Sequence, residues 1–246
     1  MANKLMCHVV TGYPSVTECI ELIIGMDKLG VKHIEVQIPF SDPIADGETI
    51  MQANDIALAS GIDTKSSFRL IKEVTDKGIS AKVYIMSYSQ KLINCGIDDF
   101  CQQASSVGVT GLIIPDLPYD SPEYETLISG AKKNSLDIVP VVSPGMSTER
   151  LGGVLRNSGK LVYLTSTKGI TGNKLLVSGE LGEAAARVKQ LKPDAKLAVG
   201  FGIQKSEDVD QVLEIADLAV IGSSVIRRIE KSGVTGGLKF IKSLSV

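Results

Sequence analysis

The sequence predicts a (β/α)8 TIM barrel formed by a single domain over residues 1–246. Eight short apolar runs rich in β-branched residues alternate with segments of helical periodicity, and several runs are apolar throughout, as in strands buried on both faces. Several helical segments end in a glycine followed by a β-branched residue, which is typical of the loop from a helix to a strand. Eight such units in 246 residues match the usual length of a barrel.

A doubly wound open sheet is the alternative fold. It usually contains fewer strands in a chain of this length, and the GxGxxG motif that often follows its first strand is absent. No linker or change of composition divides the chain, which favours one domain.

The predicted strands follow one another along the whole chain. They span residues 7–12, 33–39, 81–87, 111–116, 137–143, 160–166, 196–202 and 218–224. In the first helical segment, apolar residues recur at helical spacing from Val16 to Ile24, and Gly30 follows as a C-terminal cap. Two helical segments, rather than one, follow the second strand. After the fourth and seventh strands, Ser121 and Ser206 are the predicted helix N-caps.

Composition argues against several classes of protein. The formal net charge of −2 gives no basic field for binding nucleic acid. No apolar run approaches the roughly 18 residues of a membrane-spanning helix, and the first ten residues lack the apolar core of a signal peptide. We therefore expect a cytoplasmic protein.

Cysteine usage indicates a reducing compartment and no structural metal. Cys7, Cys19, Cys95 and Cys101 form no CxxC pair, and the chain has only two histidines. The cysteines are interpreted as reduced and mostly buried thiols.

Glu35 is a carboxylate inside an apolar strand. Alternation along residues 34–38 places Glu35 and Gln37 on one face and the aliphatic residues on the other. The outer face of a barrel strand packs on helices, so we expect the polar pair to face the lumen. A carboxyl group removed from water is suited to general acid–base catalysis, because burial disfavours its charged form. The alternative is a structural Glu35 paired with a lumen cation or a loop.

Asp46 lies in the loop after this strand, where it would reach across the barrel mouth from Glu35. Two carboxylates of different burial can divide the roles of acid and base. Asp42 precedes a proline and is interpreted as a turn residue.

Glycine-rich loops follow the sixth, seventh and eighth strands, at 165–174, 198–204 and 220–230. Glycines let backbone N–H groups approach an anion, and barrels commonly bind phosphate after the seventh and eighth strands beside a short extra helix. Gly222 and Ser223 begin the segment that would form this helix. The residues together predict an enzyme that acts on a phosphorylated small molecule by proton transfer.

The stretch IEVQIPFSDPIADGETIMQAN resembles the second-strand signature of the tryptophan synthase α chain family. The similarity extends over nearly the whole chain, through TGYP, NCGIDDF, PDLP, YLTSTKGITG, GFGI and IGSSVI in the family's order. It implies cleavage of indole-3-glycerol phosphate, by a reverse aldol reaction, to indole and glyceraldehyde 3-phosphate. It also implies no metal or cofactor in this chain, and a β-subunit partner that carries pyridoxal phosphate in an α2β2 heterotetramer.

The resemblance assigns roles to individual positions. Glu35 matches the acid–base glutamate, Asp46 the aspartate that holds the indole N–H, and Tyr163 a tyrosine that lines the site. The matched phosphate-binding or substrate-binding positions are Tyr88, Thr171, Gly172, Phe201, Gly202, Gly222 and Ser223.

The sequence departs from the family pattern around the same site. Gln37 replaces a glycine, where it would crowd the indole or hydrogen-bond Glu35, Glu48 replaces a proline, and His8 replaces an aromatic residue. These departures keep two alternatives open. One is a catalytically weakened chain that activates a β subunit by binding, and the other is a phosphate-binding barrel enzyme with a different substrate.

Overall fold

The computed structural model describes residues 2–165, 179–200 and 202–244. The strands are β1 (Leu5–Val10), β2 (His33–Gln37), β3 (Lys82–Met86), β4 (Gly111–Ile113), β5 (Asp137–Ile138), β6 (Val141–Val142), β7 (Leu161–Leu164), β8 (Lys196–Gly200) and β9 (Leu218–Ile221). The helices are α1 (Val16–Lys28), α2 (Glu48–Ala59), α3 (Thr64–Asp76), α4 (Ser89–Cys95), α5 (Ile97–Ser106), α6 (Pro122–Lys133), α7 (Thr148–Arg156), α8 (Gly179–Leu191), α9 (Ser206–Leu213) and α10 (Ser223–Ser243). A 3₁₀ helix, Ala2–Lys4, precedes β1.

The strands form one parallel sheet in the order β5-β4-β3-β2-β1-β9-β8-β7-β6. β5 and β6 are two parts of the predicted strand 137–143, separated by Val139 and Pro140. Pro140 has no N–H to donate, which interrupts the ladder. The N–H of Val139 donates to Leu112 of β4 (2.8 Å), and the carbonyl of Pro140 accepts from Tyr163 of β7 (2.9 Å). The sheet therefore closes through this split strand, and the predicted eight-stranded barrel is confirmed.

Each strand divides its side chains between two apolar layers. Leu5, Cys7 and Val9 belong to the large cluster between the strands and the helices. Met6 points the other way, into a smaller cluster that fills the barrel interior. The buried members of this interior cluster are Met6, Tyr84, Met86, Tyr88, Ile113, Val139, Leu161, Ala198, Leu218 and Val220. The interior is thus packed with side chains, as expected for a barrel of this size.

Two of the three predicted helix caps are present in the structure, and one is not. The Ser121 hydroxyl accepts from the N–H of Tyr124 (3.1 Å), which confirms this predicted N-cap, and Gly30 adopts φ +88° just after α1. The prediction for Ser206 was wrong, because Ser206 is the first helical residue and Lys205 occupies the cap position. A carboxylate within the helix, Asp208, accepts the preceding backbone N–H groups instead.

Two further observations concern membrane-spanning helices and the cysteines. In residues 2–165, 179–200 and 202–244, no helix is long and apolar enough to cross a membrane. All four cysteines are free, and Cys7, Cys19 and Cys101 are buried, as the sequence predicts.

A glycine in the loop after β1 allows close packing on the segment between α2 and α3. Gly12 (φ +78°) and Gly61 (φ +81°) share a left-handed backbone, but a Cβ at Gly12 would collide with the buried side chain of Ile62, whereas none of the described atoms lies within 4 Å of a Cβ at Gly61. We expect Gly61→Ala to lower the free energy of unfolding by about 1 kcal/mol through backbone strain, and Gly12→Ala by ~2–4 kcal/mol because the collision adds to it. Urea denaturation of both variants measures the difference. Equal losses would contradict the close packing of Gly12 on Ile62.

Candidate active site

The polar face of β2 points into the barrel. Parallel pairing places His8 of β1 opposite Glu35 of β2. Ile34 and Val36 pack in the outer apolar layer. Glu35 and Gln37 project from the other face and are buried, with 4% and 0% of their surfaces exposed. The prediction of a buried lumen carboxylate is therefore confirmed.

Glu35 forms an ion pair with His8. Nδ1 of His8 lies 3.2 Å from Oε2 of Glu35, and His8 is itself buried. Among the described residues, Oε2 of Glu35 and Nε2 of His8 have no hydrogen-bond partner of good geometry. Burial lowers the pKa of His8, but the charges of Glu35 and Asp46 together with side-chain hydrogen bonds to Glu35 and Gln37 raise it by more, so the pKa of His8 lies above its ordinary value.

Asp46 reaches back from the loop between β2 and α2 to the end of β2. Its Oδ2 accepts hydrogen bonds from Nε2 of Gln37 (2.6 Å) and from the hydroxyl of Tyr88 (3.0 Å). Within the described part of the chain, its Oδ1 has no donor. Burial raises the pKa of Asp46 and outweighs the opposing effects of His8 and of these two hydrogen bonds, so that the pKa lies above its ordinary value.

Gln37 is held in place from α2. Oδ1 of Asn54 accepts from Nε2 of Gln37 (3.4 Å) and from the N–H of Phe40 (2.9 Å), while Nδ2 of Asn54 donates to the carbonyl of Ile50 (2.8 Å). Gln37 thus bonds to Asp46 rather than to Glu35. Asn54 is not among the site residues predicted from the sequence. A usable signal was present, since an asparagine four residues after Ile50 lies on the buried face of an amphipathic helix.

Tyr88 supports the loop that carries Asp46. Its hydroxyl also accepts from the N–H of Ala45 (3.1 Å), and its ring stacks on Phe40 at 5.1 Å. Asp116, at the end of β4, accepts from the N–H of Ser89 (2.8 Å) and so fixes the helix that begins after Tyr88. Burial and the charge of Asp46 raise the pKa of Tyr88, which keeps its hydroxyl protonated and able to donate.

Tyr163 lies on β7, across the barrel from β2. A Cβ at Gly200 would lie 2.5 Å from the Tyr163 hydroxyl, so this glycine gives the ring its space. Burial, followed by the charges of Glu35 and Asp46, raises the pKa of Tyr163 well above its ordinary value. Its hydroxyl is therefore a neutral donor within the field of both carboxylates.

Gly222 and Ser223 lie at the carboxyl end of β9, where α10 begins. A break at Ser232 and Gly233 separates the first part of α10 from the rest, which confirms the predicted short helix. Its N-terminus is a favourable place for an anion. Gly202 follows β8 on the same rim. The other predicted phosphate-binding positions, Thr171, Gly172 and Phe201, lie outside the described residues.

The ring of His8 lies against this turn. A Cβ at Gly222 would lie 3.1 Å from Cβ of His8 and 3.3 Å from its Cδ2. His8 therefore sits between Glu35 and the predicted anion site.

Asp42 and Glu48 lie apart from this cluster. Asp42 is exposed and accepts from the hydroxyl of Ser41 (2.7 Å), as its interpretation as a turn residue predicts. Glu48 is the exposed first residue of α2, a position that suits both the acidic side chain found here and the proline it replaces. In the described ranges, no group of three or more histidine, cysteine or acidic side chains could hold a metal ion.

Replacing Tyr88 with phenylalanine tests the hydrogen bond to Asp46. Because this bond favours the charged carboxylate, we expect Tyr88→Phe to raise the pKa of Asp46 further, as measured by carbon NMR titration of its carboxyl group. Tyr124→Phe is the matched control, since the buried Tyr124 hydroxyl has no hydrogen-bond partner among the described residues. An unchanged or lowered pKa of Asp46 in Tyr88→Phe would refute the contact.

Comparisons with known proteins agree with this geometry. The family model described as tryptophan synthase alpha chain matches residues 1–240. The tryptophan synthase alpha chain of Petrotoga mobilis is 34% identical over 251 residues, which cover 100% of this chain and 96% of the relative. A Mycobacterium tuberculosis tryptophan synthase structure superposes with a TM-score of 0.90 at 28% identity, covering 99% of this chain and 92% of that one.

A longer relative matches over part of its length. Tryptophan synthase of Saccharomyces cerevisiae is 34% identical over 225 residues, which are 91% of this chain but 31% of the yeast protein. The chain thus spans about a third of that relative and nearly all of the Petrotoga one. The chain therefore belongs to the tryptophan synthase α chain family, the carbon–carbon lyases that cleave indole-3-glycerol phosphate to indole and glyceraldehyde 3-phosphate.

Proposed function

We propose that Glu35 and Asp46 perform the proton transfers and charge stabilisation of indole-3-glycerol phosphate cleavage. The observation that carries this proposal is the convergence of two carboxyl groups on the lumen at the end of β2, Glu35 buried and Asp46 partly buried, each with its own partners. Different surroundings let two carboxyl groups take different roles in one reaction.

Glu35 transfers protons at two substrate atoms, C3 of the indole and the glycerol hydroxyl oxygen. As an acid it delivers a proton to C3 of the indole, and as a base it removes the proton of the glycerol hydroxyl next to the bond that breaks. The electrons of the broken carbon–carbon bond return to the ring, and the hydroxyl carbon becomes the aldehyde. The buried lumen around Glu35 suits this step because it excludes bulk water from the transferred protons.

Asp46 holds the indole nitrogen. Oδ2 is occupied by Gln37 and Tyr88, so Oδ1 is the oxygen that accepts the ring N–H. Protonation at C3 places positive charge on this nitrogen, and an adjacent carboxylate stabilises that charge most strongly in the transition state. A neutral Tyr163 borders the ring from β7.

The phosphate binds at the far side of the barrel mouth. Gly202, Gly222 and Ser223 contribute to its site at the ends of β8 and β9. We assign Thr171, Gly172 and Phe201 to the same site by their match to the family motifs. Tyr88 contributes indirectly by holding Asp46.

Neutral replacements of the two carboxylates test the assignment. We expect Glu35→Gln and Asp46→Asn each to lower kcat for indole release from indole-3-glycerol phosphate by at least about 100-fold, since general acid–base groups contribute on that scale. Asp42→Asn, an exposed carboxylate in the same loop, should leave kcat within about twofold, as surface substitutions usually do. Full activity of either replaced carboxylate would overturn the assignment.

The wider function involves a partner. We infer that this cytoplasmic chain assembles with a pyridoxal-phosphate-containing β subunit in an α2β2 heterotetramer and that it passes indole to that subunit, while itself using no cofactor. Apolar side chains on the carboxyl-terminal rim support this inference. Ile44, next to the loop residue Asp46, is 79% exposed, and Ile93 of α4 is 46% exposed. Such residues on one rim are typical of a protein interface.

Introducing an acidic residue on this rim tests the proposed interface. We expect Ile44→Asp to weaken binding to the β subunit from the same organism by about tenfold or more, because a buried unpaired charge is costly, as measured by titration calorimetry. Leu191→Asp is the matched control. Leu191 is 45% exposed at the end of α8, on the opposite side of the barrel. Equal affinities of the two variants would place the interface elsewhere.

A further inference from the structure

His8 is a buried polar residue that the proposed mechanism does not use. It is 5% exposed and occupies a position that is usually aromatic in the family motif. Its Nδ1 is occupied by Glu35 at 3.2 Å. Its Nε2 is buried and has no hydrogen-bond partner of good geometry among the described residues, although the Gln37 side chain is near enough to the ring to raise its pKa. A buried polar atom without a partner has a substantial energetic cost, which a ligand atom would offset.

The His8 side chain lies directly against a glycine turn. A Cβ on Gly222 would lie 3.1 Å from Cβ of His8 and 3.3 Å from Cγ and from Cδ2, the ring atom bonded to Nε2. Gly222 is the residue before α10, at the predicted phosphate-binding turn. His8 therefore lies between Glu35, which its Nδ1 approaches, and this turn, which its Cβ and Cδ2 approach. In the substrate, the glycerol chain spans the same interval, from the carbon–carbon bond that breaks to the phosphate.

We propose that His8 binds the glycerol phosphate portion of the substrate through Nε2–H, with Glu35 holding the ring by Nδ1. This inference rests on the proposed function of Glu35 and of the Gly222 turn. It gives this chain a cationic substrate contact at a position where an aromatic ring would supply none. His8 is then a binding residue for the known reaction, specific to this chain's departure from the family pattern.

Protonation of His8 strengthens this contact. The charged groups acting on His8 within the described residues are Glu35 from β2 and Asp46 from the loop that follows it, and β9 on the other side brings only apolar residues before Gly222. Burial lowers the pKa of His8, but the two carboxylates and a hydrogen bond with Gln37 raise it by more, above its ordinary value. A raised pKa favours the imidazolium, which is lost as pH rises through that pKa. Binding of a phosphate dianion must weaken in the same direction.

The other histidine shows that an unpartnered nitrogen alone does not define the site. His33 lies at the start of β2, at the opposite end of the strand, and Nδ1 of His33 also has no partner among the described residues. Burial and the nearby Lys82 and Lys196 lower the pKa of His33 to about 4, so it is neutral. It has neither the charge nor the position to contact phosphate.

The test measures the Kd of glycerol 3-phosphate by titration calorimetry from about pH 7 to about pH 9, where the phosphate is already a dianion. We expect the wild-type Kd to rise with pH. His8→Phe should bind about tenfold more weakly near pH 7, with a flat profile, because the charged donor is lost. His8→Gln retains an amide donor near Nε2 but does not titrate, so its profile should be flat and its affinity intermediate. His33→Gln should retain the wild-type profile.

A flat wild-type profile, or a His8→Phe variant whose Kd matches that of the wild type, overturns the proposal. If His8→Phe fails to fold, the wild type and His8→Gln decide it, since superimposable pH profiles for these two proteins also overturn it. Indole release by the wild type is measured separately. Indole release with unaltered binding in His8→Phe refutes the role of His8 alone, whereas absence of indole release refutes the proposed function.

Discussion

The parallel register between β1 and β2 is the constraint on which the chemistry of this barrel depends. It places His8 beside Glu35 and brings Gln37 to the point where the following loop returns. A shift of β2 by one residue would turn both polar side chains into the apolar layer beneath the helices. Burying an unpaired carboxylate there would cost several kcal/mol. The polar contacts of Glu35 and Gln37 in the lumen therefore favour the observed register between β1 and β2.

The amide at position 37 changes how the loop carboxylate is held. Gln37, Tyr88 and Asn54 form one hydrogen-bonded chain around Asp46, and all three side chains are fully buried. A glycine at position 37 would leave Asp46 with Tyr88 as its single side-chain donor in the described part of the chain. Gln37 occupies space in the lumen, but it fixes the orientation of the Asp46 carboxylate before substrate arrives. Electrostatic catalysis usually requires groups that are oriented in advance.

Much of this site follows from patterns in the sequence, and the rest depends on contacts between distant segments. Alternation along β2 is enough to predict that Glu35 and Gln37 share the lumen face, and loop glycines are enough to predict the turn at Gly222. The contact between His8 and Glu35 requires knowing which strands are neighbours and in what register, and local periodicity carries neither. The partner of Gln37 was unpredictable for the same reason, since the return path of the loop decides between Glu35 and Asp46.

The interruption between β5 and β6 makes the strand ladders of the barrel uneven in length. Around β1, β2 and β3, continuous ladders bind neighbouring strands along their whole lengths. At Pro140 the ladder changes partners, pairing with β4 before the proline and with β7 after it. Short ladders open more readily than long ones. β7, which carries Tyr163, pairs with β8 over all four of its residues but with β6 over only two, so its β6 edge is held by fewer pairs than either edge of the strand that carries Glu35.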